Sequence, residues 1–457
     1  MNGHLPVVEM MLQKGFSPNV KDKTNSTPLH SACNRNLIDI AKLLLDNGSD
    51  INAATLKGWT PLMYSCRNNF ADLTTMLIER GANVQQQDIF GKTCLDAAML
   101  GRHKNIIPIL LQHGVDINHI DHRGWDALLG AIIALDKDMI SFLFANGSIP
   151  NNNSKLMAYC LDYVIDHDRF DIFKILIDHN VDPNILGDEG WTPIMAASRK
   201  DIRYVEYLLD KGANISAVNN KGQTALLFAC DCQHLDICRL LIDRGSDINH
   251  QNIDGWTPLM IASAHNSVDI IHLLIKHNVD VHLFNKRDEN ALHIATSFGN
   301  IDSVSLLLSS NANPSTKNTD GWTSLMVASQ KGFTDVLTLL IDRNVDLDLV
   351  NRQGMTALNV AASKNRLDVA RLLLSSGANP NVCNRDLWSP LMTASQFGSL
   401  DLVRLLIEHG ADPSLRNKRG KDAFDIALIL KHNPIIEYLL SLSPSPSLSS
   451  PMPSLSL

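Results

Sequence analysis

The sequence predicts an all-α repeat protein, a solenoid of helix-turn-helix units joined by β-hairpin or turn fingers. Three observations predict it. All six tryptophans, Trp59, Trp125, Trp191, Trp256, Trp322 and Trp388, stand in variants of one stretch, best seen as Asp254-Gly255-Trp256-Thr257-Pro258-Leu259-Met260-Ile261-Ala262-Ser263. The tryptophans recur at steps of 66, 66, 65, 66 and 66 residues, and a tryptophan-free version lies between each pair, at Thr93, Tyr159, Thr224, Asn290 and Thr356. Thirteen positions hold the resulting period of 33, from Thr27 to Asp422. Such a period marks an array that grows by stacking units rather than by enlarging one core.

Each element of the unit has a local reason. Thr or Ser caps the first helix, Pro fits its first turn, and Leu then points inward. Small residues such as Ala262 and Ser263 follow, which lets neighbouring helices approach closely. Asn365 or Gly398 then stops that helix in a left-handed conformation. The second helix carries apolar residues at helical spacing, as in Leu367, Val369, Ala370, Leu372, Leu373 and Leu374. Gly377 ends it, and Ala378-Asn379-Pro380-Asn381 turns the chain onward. Five residues before each Thr position stand Asn219, Asn252, Asn285, Asn318, Asn351, Asn384 and Asn417, with Asp22, Asp88 and Asp121 in the same register. Their side chains suit short bonds to the turn backbone.

Along the chain, residues 1–21 read as a partial repeat whose second helix, around Val7, Val8, Met11 and Leu12, lacks a preceding partner. Residues 22–153 form a first block of full repeats. Residues 154–218 diverge: Lys155-Leu156-Met157-Ala158-Tyr159-Cys160 replaces the usual motif, and the next repeat is one residue short. A local change of twist is expected there. Residues 219–440 form a regular second block with a terminal cap, although Leu428, Ile429 and Leu430 are more apolar than a cap should be. Residues 441–457, rich in Ser and Pro and without charge, are expected to be disordered.

Thr27-Pro28-Leu29-His30-Ser31-Ala32 is the copy nearest the motif of ankyrin repeats, and the chain resembles that family over residues 3–440. The resemblance implies an ankyrin-type α-solenoid, no catalysis, and protein partners bound along a concave groove. It further implies that the residue before each Thr and those at the end of the first helix face the groove. Carried over, these are the six tryptophans together with Arg67, His265, Phe298, Lys331 and Phe397. The bland reading of the tryptophans is local packing, because Met63, Met195, Met260, Met326 and Met392 accompany them in a 66-residue block. The family also implies that Asn52, Asn118, Asn249 and Asn381 occupy turns open to hydroxylation.

Composition narrows the function classes. A net charge of −8 argues against a general nucleic-acid binder, which needs a basic stripe. No apolar run approaches the ~20 residues of a membrane span. Eight dispersed cysteines, several at small-residue packing positions, suit reduced thiols and a cytoplasmic location, with a nuclear one equally compatible. Cys230, Cys232, His234 and Cys238 have zinc-like chemistry, but their places in the repeat separate them, so no metal or cofactor is expected. No nucleophile–base set or phosphate loop occurs. The expected function is a protein-binding scaffold or adaptor. The alternative is a targeting or regulatory segment of a larger enzyme, channel or ubiquitin-ligase assembly, in which a partner or missing segment would cover the first repeat.

Overall fold

The computed structural model describes residues 3–152 and 155–442. Among these residues there are twenty-seven α-helices, one 3-10 turn at Asp188–Gly190, and no strand. The fingers are therefore hydrogen-bonded turns rather than paired strands. None of these helices is long and apolar enough to cross a membrane. The chain divides into two compact units, one up to Asn220 and one from Lys221 on.

The repeat around Trp256 shows how the unit is built. Thr257 Oγ1 accepts the Met260 N–H at 3.2 Å, Pro258 opens the helix Pro258–Ala264, and Leu259, Met260, Ala262 and Ser263 are buried. Capping of this kind is worth about 1 kcal/mol per helix. Asn266 then adopts a left-handed φ of 54° between the helices. The second helix, Val268–Lys276, buries Ile270, Ile271, Leu273 and Leu274. It ends at Asn278, with φ 61°, where the N–H groups of Asn278 and Val279 return to the carbonyls of Ile275 and Leu274. Within each unit first helices stack on first helices and second helices on second helices, giving two layers with the apolar core between them.

In the unit up to Asn220, the divergent segment changes one element. The helix Lys155–Asp166 spans twelve residues where most first helices span seven or eight. No Thr-Pro pair sets a cap at Tyr159 and a start at Cys160, so the helix begins five residues earlier, at Lys155, and Tyr159 lies exposed inside it. In the short repeat that follows, the helix Pro193–Ser198 loses one residue, and Asp201 caps Ile202–Asp210 through the Arg203 N–H at 2.8 Å. The helix Leu5–Gln13 packs on Ile38–Asp46 and leaves Val7, Met10 and Met11 exposed. In the unit from Lys221 on the repeats are regular. Its last helix is Asn433–Ser441, with Leu428, Ile429 and Leu430 exposed on the helix before it. Of the Ser/Pro tail, residues 443–457 lie outside the described residues.

The fingers are locked twice. Asn252 Oδ1 accepts the N–H groups of Asp254 and Trp256, both at 2.9 Å, and the Asn252 N–H donates to the Trp256 carbonyl at 3.1 Å. Successive fingers are then joined by backbone. The Lys286 N–H donates to the Asp254 carbonyl at 3.0 Å, and the same bond recurs from Thr319 to Arg287, Arg352 to Asp320, Arg385 to Gln353 and Lys418 to Asp386. At Gly255 this approach favours glycine: φ is +79°, and a Cβ there would stand 2.8 Å from the Asn285 Cα, although Asp288 holds the same register with a left-handed φ of 55°. Leu387 occupies the same register as Gly321 and Gly354, yet holds a φ of 58°.

These geometries set opposite expectations for two substitutions. Gly255→Ala should destabilise its unit by about 2 kcal/mol or more, combining left-handed strain of ~1–2 kcal/mol with backbone overlap. Leu387→Gly should stabilise by up to about 1 kcal/mol, because relief of strain exceeds the entropy cost of glycine. Urea midpoints of the full chain, followed by circular dichroism, test both. An unchanged midpoint for Gly255→Ala would refute the close-approach argument.

Candidate functional site

The turn bonds that make each finger also fix its tryptophan. The Trp125, Trp256, Trp322 and Trp388 N–H groups donate to the side-chain oxygen of Asp121, Asn252, Asn318 and Asn384 at 2.9–3.0 Å. Trp59 uses Thr55 Oγ1 at 3.1 Å. With the backbone held on both sides, all six indoles are half-buried. A second tether reaches two of them. His30 Nε2–H donates to the Trp59 carbonyl at 3.0 Å, while its Nδ1 accepts the Thr27 N–H at 3.0 Å. His293 Nε2 stands 3.3 Å from the Trp322 carbonyl. The histidine imidazole thus closes a helix cap in one repeat and clamps the finger of the next. The methionines beside the tryptophans, Met63, Met195, Met260, Met326 and Met392, are buried in the core.

In the unit up to Asn220, the structure brings two of the sequence candidates together. The Arg67 guanidinium lies 5.4 Å above the Trp59 ring, which also packs against Tyr64 at 5.2 Å. Trp191 has Arg199 over it at 5.7 Å. Trp59 and Arg67 line a cavity of about 640 Å³, and Trp125 lines a second of about 300 Å³. Sequence reasoning missed the other groups at these cavities, notably Tyr64, Phe90, Arg123 and Gly130. A register signal was available for them. Tyr64 and Gly130 lie four residues after their Thr or Asp position, and Phe90 and Arg123 lie three before theirs.

In the unit from Lys221 on, the candidates lie apart on a common edge. Trp256, Trp322 and Trp388 have no ring partner among the described residues. His265 Nε2 contacts Asp231 at 3.0 Å. Phe298 and Phe397 end their first helices 60% and 55% exposed, and Lys331 is exposed at the corresponding helix end.

The remaining polar candidates are engaged in structure. The Oδ1 atoms of Asn52, Asn118, Asn249 and Asn381 accept the N–H of Asn83, Ile149, Asp280 and Asp412, each in the following repeat. Cys230 and Cys238 are buried with their sulfurs 3.7 Å apart, and that contact together with burial pushes the Cys230 thiol well above its ordinary range. Cys232 is half-exposed and stands outside the pair. Among the described residues no three His, Cys, Asp or Glu side chains gather as a metal-holding group.

A family model described as ankyrin repeats in three copies matches residues 1–88, 161–252, 244–318, 311–384 and 376–449. A search of curated proteins finds no match. Among solved structures, the chain is similar to the ankyrin repeat domain of Bcl-3, described as a unique member of the IkappaB protein family. The identity is 28%, over 48% of this chain and 99% of that one, with a TM-score of 0.45.

The histidine clamp carries a pH dependence. Burial lowers the pKa of His30 and of His293 below the ordinary 6.5. As pH falls through that ordinary value the unfolded chain binds protons that the folded chain refuses, so stability is present above about pH 6.5 and declines below it. The double variant His30→Met, His293→Met copies the neighbouring repeats. Its urea midpoint should fall less steeply than that of the wild type between about pH 7 and pH 5.5. Parallel profiles would show that these imidazoles are not the titrating groups.

Proposed function

The chain belongs to the ankyrin-repeat family, whose fold is a non-catalytic module of protein–protein interaction, and we propose that it works as a scaffold or adaptor binding partner proteins along the finger and first-helix edge. One observation carries the reading. Phe298 and Phe397 sit at the same helix-end position on a backbone locked by turns and caps, yet remain 60% and 55% exposed. Large aromatic rings held in water on a rigid frame are what binding hot spots are made from, because little entropy is lost when a partner covers them. The half-buried tryptophans of the fingers offer further apolar area.

Affinity capture from cell extract, with the full chain as bait, tests this. Phe298→Ala with Phe397→Ala, and separately Trp256→Ala with Trp322→Ala, should keep helical content. The phenylalanine pair should lower recovery of specific partners by about tenfold or more, since each hot-spot loss is worth about 2 kcal/mol. The tryptophan pair should do the same if the indoles meet the partner rather than only the neighbouring turn. Equal recovery by wild type and both folded variants would reject this edge as the binding surface.

A further inference from the structure

The chain carries a net charge of −8, but one stretch of the unit up to Asn220 gathers cations around aromatic rings. Lys57, Arg67 and Arg123 line the cavity of about 640 Å³ together with Trp59, Tyr64 and Phe90. Arg67 lies 5.4 Å over Trp59 and Arg123 lies 5.6 Å over Phe90. A guanidinium held over a ring by cation–π attraction still has N–H groups with which to grip a carboxylate in two-point fashion. Neither arginine has a carboxylate partner among the described residues. The one acid lining this cavity, Asp88, is spent on the N–H groups of Phe90 and Lys92 at 2.8 and 2.9 Å.

The second cavity adjoins the first, sharing Lys92 and Leu100, and opens in front of Trp125. Gly130 lines it and puts no side chain into it. At the same register Tyr64, Ile261, Ile294, Val327 and Val360 carry larger side chains, while Ser31, Ala97 and Ala196 carry small ones. Nothing in the backbone demands this glycine: it lies inside the helix Ala127–Ile133 and a Cβ there would meet nothing within 4 Å. A mid-helix glycine costs about 1 kcal/mol relative to alanine, so the opening is kept at some expense in stability. The acids at its rim are turned to their own backbone. Asp96 accepts from Thr93, Asp121 from Arg123 and Trp125, Asp126 from Leu129, and Asp136 from Met139. What remains is an apolar floor of Met99, Leu100, Trp125, Ala131 and Met139.

We propose that the two cavities together hold an acidic peptide segment of a partner, its carboxylates gripped by Arg67 and Arg123 and one apolar side chain seated over Gly130 against Trp125. The assignment rests on the reading of the array as protein-binding and adds where, and to what chemistry. Charge complementarity selects the occupant, since unpaired arginines on an acidic chain favour an anion. Single-stranded nucleic acid fits less well, because an arginine already stands over each of the Trp59 and Phe90 rings on which bases would stack.

Fluorescence anisotropy of the full chain with a labelled peptide of alternating Glu and Leu tests the proposal. A Gln-for-Glu peptide and an oligothymidylate serve as the other arms. The Glu peptide should bind, weaken at least about tenfold when Gln replaces Glu, and weaken with added salt. Arg67→Gln with Arg123→Gln should cost about tenfold, as should Gly130→Leu, whose fold is checked by circular dichroism. Gly130→Ala serves as the folding control and should raise stability. Absence of Glu-peptide binding at millimolar concentration, equal binding of the Glu and Gln peptides, indifference to the arginine pair, or tighter binding of the oligonucleotide would each overturn it. If these arms fail while captured partners are still lost on Phe298→Ala with Phe397→Ala, only the acidic-peptide assignment falls. If no edge substitution loses any partner, the binding edge itself falls.

Discussion

Each unit of this chain depends on how closely one finger lies against the next. The backbone bond from Lys286 to Asp254, and its counterparts along the array, draw each finger so close to the next that a Cβ on Gly255 would stand 2.8 Å from the Asn285 Cα. That closeness explains why glycine precedes the tryptophan in most copies and why the φ there is left-handed. It also explains the preference for Asn or Asp five residues before the cap. A short side chain that accepts two backbone N–H groups fixes the turn locally before the inter-repeat bond is made. Local turn and neighbour contact therefore favour the same conformation, which is the consistency expected of a repeat that folds by stacking.

Because turns, caps and small residues carry the fold, the other positions are free to differ between repeats. The register four residues after the cap shows this freedom: it holds tyrosine, glycine, isoleucine and valine in different copies. The position ranges from exposed at Gly130 to buried at Ile294 and Val360, so its surroundings differ from repeat to repeat. The histidine position is constrained differently. Where histidine is present it bonds both its own cap and the next finger, and where it is replaced by methionine the side chain goes into the core instead. One site in the motif thus alternates between a polar clamp and an apolar filler, and the tryptophan-bearing repeats take the filler.

The fold was legible because period, caps and turn residues are local signals that repeat thirteen times in the sequence. Helix boundaries followed wherever Thr-Pro or Ser-Pro stands, and blurred where that pair is missing, as at Tyr159, now inside a longer helix. Sequence alone did not separate a hairpin finger from a turn finger, since both use the same Gly and Asn chemistry and differ only in pairing geometry. Leu387 was equally hidden. Nothing in an exposed leucine announces a left-handed φ, and the neighbouring finger imposes it. Of the site residues, Trp59 with Arg67 was recoverable from positions one before and seven after the cap. Phe90 and Arg123 share a register three before the cap, but that register acquires meaning only when the finger tips of successive repeats stand side by side.

Net charge is a poor guide to what such an array binds, and the physical reason lies in its geometry. Within a chain of charge −8, acids such as Asp126 and Asp422 stand at capping positions, where the carboxylate accepts a backbone N–H group and is stabilised by the positive end of a helix. Those acids belong to the fold. The arginines over Trp59 and Phe90 have no such duty: each rests on a ring, which orients it without neutralising it. Cations left unpaired beside acids already satisfied create a local positive field that the total charge conceals. In a stacked array this separation is easy to produce, because the residues that cap helices and the residues that line the finger tips occupy different registers of the same 33-residue period. The surface chemistry at one place along the array can then change without disturbing the bonds that hold it together.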